Sequence, residues 1–318
     1  MTTTPVDQVE GARRKPGPAA RFRLRDASEA RLAFWLLTPT FVLLLLVVGF
    51  PILRAVYLSL FSDNRFGTPE FIGLGNYTRA LFGNSSGEFW AAFGVTTMIT
   101  AISVTLELLI GLGMAMIMHR AFKGRGLVRA SVLVPWAIPT AVTALLWKWM
   151  YQPAGIGGIV NAVTGADILW TGRTWPSRWA IILADTWKTA PFIGLLLLAG
   201  LQIIPDELYE AAKVDGATAW QRFRRITLPL LKGAILVAVL FRLLDVLRIF
   251  DLPKILTNGA NGTETLSLIA YEQAIERVRV HYGSALAVLT FLYIMLVAFL
   301  FVRVLGASVV KTQAREVK

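Results

Sequence analysis

Long apolar runs separated by short polar stretches dominate the chain. Six of these runs are long enough to cross a bilayer, which takes roughly 20 apolar residues as a helix. We predict six transmembrane helices, at residues 32–60, 89–118, 128–150, 179–203, 234–256 and 283–306. The pattern therefore predicts an all-α, polytopic membrane protein whose transmembrane domain covers residues 32–310.

The two ends of the chain differ from this pattern. Residues 1–31 are rich in Pro, Gly and basic residues and are predicted to be a disordered tail. The apolar run that follows is too long for a signal peptide and starts too far into the chain, so it is predicted to stay as an anchor. Residues 311–318 form a short polar tail.

Composition agrees with a membrane protein and excludes several other classes. The chain is 55% hydrophobic and 16% charged, with a mean hydropathy of +0.59. With no Cys and two His, it offers neither a disulfide framework nor a thiolate metal site, and we predict no metal centre. The net charge of +12 would suit nucleic acid, but membrane topology also uses Lys and Arg.

The distribution of Lys and Arg among the loops predicts the orientation. If the amino terminus is cytoplasmic, the loops on that side carry 20 basic residues and the opposite loops carry seven. Basic residues concentrate on the cytoplasmic side of membrane proteins. Both termini and the segment 205–232 are therefore predicted to be cytoplasmic. The chain itself is predicted to lie in the cytoplasmic (inner) membrane, in contact with lipid. No nucleic-acid partner is predicted.

Segment 205–232, "PDELYEAAKVDGATAWQRFRRITLPLLK", is polar between two apolar runs. Pro205 and the two acids after it predict a helix start, and Gly216 predicts a left-handed stop. Thr218 to Gln221 has the T-x-x-Q spacing of a capping box that opens a second helix, which Pro229 is predicted to end. The segment is thus predicted to be a helix, a tight turn and a helix.

The same segment carries a motif. Its residues follow the spacing E-A-A-x3-G-x9-I-x-L-P from Glu210 to Pro229, which resembles the EAA loop of ABC importer permeases. In that family the loop is a coupling helix that sits in a cleft of the cytoplasmic ATPase subunit. The resemblance implies these coupling residues: Glu210, Ala211, Ala212, Asp215, Gly216, Ala217, Phe223, Ile226, Leu228 and Pro229.

Further stretches resemble carbohydrate permeases of the maltose and glycerol-phosphate uptake type. They include "FIGLGNYTRALF" (71–82), "VPWAIPTAVTALLWKWMYQPAGIGGIVN" (134–161) and "TETLSLIAYEQAI" (263–275). The basic tail is also similar to that of actinobacterial trehalose permeases. One departure stands at 257–262, where "TNGANG" replaces the T-x-G-G-P common in relatives. The resemblance implies a type I ABC importer permease bundle.

The family also implies a division of labour. An extracytoplasmic sugar-binding protein or lipoprotein delivers the sugar, a second homologous permease completes the pathway, and two ATP-binding cassette subunits bind ATP and Mg. This chain has no G-x-x-x-x-G-K-[ST] loop. It is therefore predicted to hold no cofactor and to be no enzyme itself.

Charged residues inside the predicted fifth span are candidates for the substrate pathway, because ionisable groups in lipid are costly. Arg242, Asp245, Arg248 and Asp251 follow one another at i, i+3 steps and sweep half the helix circumference. They could pair with each other, with the partner permease or with a neighbouring helix. They could also contact sugar, and Asp245 and Asp251 are the preferred candidates for that role.

Two aromatic and charged groups lie near span ends and have two interpretations. They comprise Trp147, Lys148, Asp185, Trp187 and Lys188. Aromatic residues at such positions often form an interfacial belt, yet carboxylates and aromatic faces also suit a disaccharide. Glu107 in the second span has the same ambiguity.

Two functions from different classes follow. The first is the permease subunit of an ATP-driven sugar importer, for a disaccharide such as trehalose. The alternative is an ion-coupled secondary transporter with Asp245 or Glu107 as its ion site.

Overall fold

The computed structural model of the protein describes residues 20–64, 67–120 and 123–306. The predicted all-α class is confirmed, since the described residues contain helices and one isolated bridge, between Phe61 and Phe71, but no β-strand. The chain divides after Arg54 into two compact units.

The first unit is a long helix. It consists of α1 (Ala20–Leu44), a π-helical turn (Leu45–Gly49) and the start of α2 (Phe50–Leu58). The helix begins at Ala20, so the last part of the predicted disordered tail is helical, and residues 1–19 lie outside the described residues. Pro and Gly stop at Pro18, and the helix-favouring residues that follow extend the helix.

The second unit contains the remaining candidate spans. Counting the first unit, five helices of the described chain are long and apolar enough to cross a membrane, and a bent pair makes six if it is one span. The long helices of the second unit are α4 (Ser86–His119), α8 (Thr174–Leu201), α11 (Leu228–Val246) and α14 (Val280–Phe301). The bent pair is α5 (Arg125–Ala137) and α6 (Thr140–Met150).

Short helices connect these spans. The α-helical ones are α3 (Gly75–Leu81), α7 (Ile159–Thr164), α9 (Asp206–Val214), α10 (Ala219–Arg222), α12 (Asp251–Thr257) and α13 (Leu266–Tyr271). A 3-10 turn covers Ala154–Ile156, and π-helical turns cover Phe223–Thr227, Glu272–Glu276 and Val302–Gly306.

The third span is not the continuous helix predicted at 128–150. Helices α5 and α6 meet at an angle of 90°. Proline disfavours the helical conformation of the residue before it, and Ile138, which precedes Pro139, is extended at φ −71° and ψ 131°. Hydropathy alone does not register this break, because both halves are apolar.

The fifth span also differs from the prediction of 234–256. Its helix runs without interruption from Ala219 to Val246 and breaks before α12. Pro229 was wrongly predicted to end the preceding helix. In the π-helical turn the Leu228 N–H donates to the Phe223 carbonyl, five residues earlier instead of the four of an α-helix. Pro229 then occupies the first turn of α11, where proline is tolerated.

Helix α8 is the centre of the second unit, since 72% of its apolar 18-residue stretch is buried. It packs against α4 and α11 at positions where small residues let the backbones approach. A Cβ on Gly111 would lie 3.0 Å from the Gly194 nitrogen, and one on Gly200 would lie 2.6 Å from the Ala234 Cβ. Close contact through small residues is typical of helix pairs in membranes.

Replacing Gly200 with valine is expected to destabilise the protein by about 1–3 kcal/mol, because the added atoms would push α8 away from α11. Thermal unfolding of the purified protein in detergent measures the loss. Gly113→Val is the matched control, since nothing lies within 4 Å of a Cβ at Gly113 on α4. Equal melting temperatures for the two variants would contradict the close contact.

Candidate functional site

The 205–232 loop turns sharply after its first helix. At the end of α9 the Gly216 N–H donates to the Lys213 carbonyl (3.0 Å), and the Ala217 N–H donates to the Ala212 carbonyl (2.8 Å). Gly216 has a φ of +76°. This bonding pattern satisfies carbonyls that a helix end leaves free. The predicted left-handed stop at Gly216 is confirmed.

The second helix of the loop begins with the predicted capping box. The Gln221 N–H donates to Thr218 Oγ1 (3.3 Å), and the Thr218 N–H donates to Gln221 Oε1 (2.7 Å). Two N–H groups at the helix start are thus satisfied reciprocally. The capping box is confirmed, and the helix–turn–helix shape of the loop with it.

Side-chain bonds fix the two arms of the loop to each other. The hydroxyls of Tyr209 and Thr227 lie 3.0 Å apart, and Arg222 Nη1 donates to the Ala217 carbonyl (2.7 Å). A cavity of about 440 Å³ separates the arms from the end of α4, where His119 and Arg120 face the loop. The loop is therefore braced at both its turn and its base.

Most of the loop surface is exposed. Of the residues assigned to coupling, six are exposed (Glu210, Ala211, Asp215, Gly216, Leu228 and Pro229) and four are partly buried (Ala212, Ala217, Phe223 and Ile226). Large apolar side chains are exposed beside them, with Val214 at 88% and Trp220 at 67%. Exposed apolar groups around small residues provide a surface that another protein could cover.

A buried ionic cluster joins three spans. From α11, Arg242 donates through Nε to Glu107 Oε2 on α4 (2.5 Å). Through Nη2 it donates to Glu107 Oε1 (2.7 Å) and to Asp185 Oδ2 on α8 (2.9 Å). Thr189 Oγ1 also donates to Glu107 Oε1 (2.6 Å). Arg242, Glu107 and Asp185 are all buried, so the bonding partner of both carboxylates is the arginine rather than water.

Asp245 forms the exposed edge of this cluster. Its carboxylate accepts a bond from Arg242 Nη1, and its side chain is 63% exposed. Arg248 and Asp251 are exposed as well. Arg248 lies in the break between α11 and α12, and no ion pair joins it to Asp251 in the described part of the chain. Of the four charges predicted on the fifth span, only Arg242 and Asp245 form an ion pair with each other.

Two lysines bind backbone carbonyls at the helix breaks. Lys188 Nζ donates to the carbonyls of Ile138 (2.6 Å) and Trp136 (3.2 Å), at the end of α5. Lys148 Nζ, on α6, donates to the carbonyl of Ile255 on α12 (2.9 Å). Both predicted lysines thus bind carbonyls at or just beyond the end of a helix, where carbonyls lack a partner within the helix.

The predicted aromatic residues come together beside the lysines. The rings of Trp147 and Trp187 meet edge to face with centroids 5.7 Å apart, and Trp147 also packs on Tyr151 at 5.1 Å. Trp147 Nε1 is buried and has no bonding partner among the described residues. The aromatic group therefore holds one unused donor.

Sequence reasoning named Arg242 and Asp185 but missed the contact between them. It also left Glu107 ambiguous, although this residue accepts two bonds from Arg242. The available signal was one arginine and two carboxylates buried in three different apolar runs, since such charges are seldom left unpaired.

The departure from the family pattern at 257–262 is a structured turn. Asn258, Gly259, Asn261 and Gly262 all have positive φ, between 50° and 77°. Arg178 Nε donates to the Gly262 carbonyl (2.9 Å). Asparagine tolerates this conformation better than most residues. Burial raises the pKa of Glu264, which follows the turn, and the Glu88 carboxylate adds to the rise.

The described residues contain no group of three or more His, Cys, Asp or Glu side chains arranged to hold a metal ion.

Comparison with known proteins matches residues 107–311 to the family model described as "Binding-protein-dependent transport system inner membrane component". The chain is 43% identical over 284 residues to the trehalose transport system permease protein SugA of Mycobacterium tuberculosis, covering 88% of this chain and 91% of that protein. It is 40% identical over 282 residues to the trehalose/maltose transport system permease protein MalF of Thermococcus litoralis, covering 87% and 94%.

The backbone is similar to a chain in the crystal structure of a bacterial ABC transporter involved in the import of the acidic polysaccharide alginate. The TM-score is 0.73 at 22% identity, and the match covers 88% of this chain and 96% of that one. A second alginate transporter structure, in complex with a pentasaccharide-bound periplasmic protein, gives a TM-score of 0.74 at 20% identity, covering 87% and 94%.

Proposed function

Because the chain belongs to the family of binding-protein-dependent transport system inner membrane components and has the type I ABC importer permease fold, we propose that it is one permease subunit of an ATP-driven sugar importer. It forms half of the translocation pathway, together with a second homologous permease. The observation that carries the proposal is the exposed helix–turn–helix loop at 205–232. ATP and Mg bind to two partner ATPase subunits, and this chain is no enzyme.

The loop is suited to couple the permease to an ATPase subunit. It ends in a tight turn at Gly216, where no side chain projects, so a partner's backbone can come close. The exposed side chains of Val214 and Trp220 would be covered on docking. Because the loop is braced by its own bonds, a push on the turn moves both arms together.

Basic residues are in excess on the side of the protein that carries the 205–232 loop, which supports a cytoplasmic position for this loop. The ATPase subunits then meet the loop on the cytoplasmic side. An extracytoplasmic sugar-binding protein meets the opposite end, which includes the turn at 257–262.

The exposed charges near the break after α11 support a shared pathway. A charged side chain at the centre of a bilayer costs about 3 kcal/mol, so such groups face protein or water rather than lipid. Asp245, Arg248 and Asp251 are exposed on this subunit and require cover from a second permease or from an aqueous channel. Interrupted helices are tolerated at membrane depth under the same condition.

A disaccharide, specifically trehalose, is the proposed cargo. Two relatives that match most of this chain are named for trehalose or for trehalose and maltose. Carboxylates such as Asp245 accept bonds from sugar hydroxyls, and the exposed face of Trp187 can cover the C–H groups of a pyranose ring.

The ion-coupled alternative has no support, because the chain belongs to a family of binding-protein-dependent transport components. Uptake by membrane vesicles that contain the four-subunit complex tests the proposal. We expect trehalose uptake to require ATP and the loaded binding protein, to stop with vanadate, and to continue when an uncoupler collapses the proton gradient. Uptake that survives vanadate and stops with the uncoupler would reverse the assignment.

Changing Asp245 to Asn is expected to lower sugar uptake about tenfold or more, since a hydrogen bond to a charged group contributes about 1.5–3 kcal/mol. Initial rates in the same vesicles measure the effect. Asp167→Asn is the matched control, because it makes the same chemical change on an exposed loop residue. If both variants transport equally well, Asp245 does not contact the sugar.

A further inference from the structure

The ionic cluster lies on the helices that lead to the 205–232 loop, several helical turns away from it. Sixteen residues separate Asp185 from the end of α8 at Leu201, and sixteen separate Arg242 from Ile226. At a helical rise of about 1.5 Å per residue, both distances are about 24 Å. The second arm of the loop is a direct extension of α11, and the first arm is joined to α8 by the short turn at 202–205. Arg242 ties α8 and α11 together at equal depth from the loop.

The third helix of the cluster also reaches the loop. Glu107 lies on α4, whose last residue, His119, lines the cavity beside the loop arms. Between the cluster and the loop, an apolar core that includes Met118, Leu197 and Leu231 fills the space among the three helices. The glycine contacts described above hold α4 to α8 and α8 to α11. The three helices are thus closely packed along the stretch between the ionic cluster and the 205–232 loop.

Among the described residues, Arg242 is the only cation bonded to the carboxylates of the cluster, and these carboxylates lie on three different helices. Nε and Nη2 donate to Glu107, and Nη2 also donates to Asp185. Nη1 donates to Asp245. A guanidinium donates in a rigid planar fork, so the three carboxylates cannot shift independently without losing bonds. A buried charge that loses its partner is costly, which opposes sliding of one helix past another.

We propose that Arg242 is a positioning residue for coupled transport, and that Glu107 and Asp185 hold it in place. The cluster transmits displacement of the 205–232 loop to Asp245 at the pathway surface, because it prevents α4, α8 and α11 from sliding. This inference rests on the proposed function. When the cluster is weakened, the binding protein still stimulates ATP hydrolysis, but more ATP is hydrolysed for each sugar imported.

Glu107→Gln tests this role, since the amide keeps the shape of the side chain and removes its charge. The complete complex is reconstituted in vesicles, and ATP hydrolysis and sugar uptake are measured on the same sample. We expect hydrolysis stimulated by the loaded binding protein to stay within about twofold of wild type, while ATP consumed per sugar imported rises about three- to tenfold. Thr189→Val, which removes the hydroxyl that bonds Glu107 Oε1 and the Asp185 carbonyl but keeps the charges of the cluster, is expected to raise this ratio to a smaller extent.

Thr290→Val is the matched control, because it removes a buried hydroxyl on α14 that donates to the Leu286 carbonyl and to no member of the cluster, and it should leave the ratio unchanged. An unchanged ratio in Glu107→Gln and Thr189→Val would overturn the inference, and so would failure of both variants to assemble, since the cluster would then serve folding alone. If the wild-type complex itself shows no ATP-dependent uptake, it is the proposed function that fails.

Discussion

Replacement of Gly216 with valine is expected to abolish ATP-coupled uptake while the chain still inserts into the membrane. Gly216 has a φ of +76°, and a β-branched residue held there costs about 1–3 kcal/mol. The turn will relieve this strain by changing shape, and the new side chain will also stand on the surface proposed to meet the ATPase. Stimulated ATP hydrolysis and sugar uptake by the reconstituted complex measure the loss.

Gly165→Val provides the control for backbone strain. Gly165 has a φ of +65°, and open space surrounds it as it surrounds Gly216, but it lies in the loop after α7. This variant should keep most of its uptake. Normal transport by Gly216→Val, or equal losses in the two variants, would refute the assignment of the turn to coupling.

Loss of Arg242 is expected to have the largest effect on stability. Arg242→Leu leaves the carboxylates of Glu107 and Asp185 buried without their cation. Removal of one partner from a buried ion pair typically costs about 3–5 kcal/mol. We expect a low yield of folded protein and a lowered melting temperature, measured on the purified protein in detergent.

A compensated variant separates charge from packing. In Arg242→Leu combined with Glu107→Gln and Asp185→Asn, no buried ionised group is left in the cluster, and the one remaining carboxylate, that of Asp245, is exposed. Stability should recover in part, because neutral amides are less costly to bury than unpaired carboxylates. If the combined variant is as unstable as Arg242→Leu, the packing of the guanidinium matters more than its charge.

Elements with local signals were predictable from the sequence. The Gly216 stop and the Thr218 capping box depend on residues within a few positions of each other, and the structure has both. Long apolar runs likewise gave the all-α class. The spans predicted at 128–150 and 234–256 run through the breaks after Ala137 and Val246, because the residues on either side of each break stay apolar. A proline such as Pro139 can either kink or end a helix, and the sequence does not decide which.

Contacts between spans were beyond the reach of sequence patterns. Glu107 and Arg242 are 135 residues apart, and nothing in either run specifies which helix faces the other. Their burial together requires the close packing at Gly111 and Gly200, which depends on the tertiary fold. Sequence therefore identified individual charges as important and left their partners open.

Lys188 bears on how the bend between α5 and α6 behaves in a bilayer. Its ammonium group occupies the Ile138 and Trp136 carbonyls, so that this corner needs no solvent to satisfy its backbone. If the third span straightened, the Trp136 and Ile138 carbonyls would lose their bonds to the Lys188 ammonium before a new helical turn could satisfy them. The right angle is thus held by a side chain of the neighbouring helix, and α6 keeps its direction relative to α5 even where lipid surrounds it.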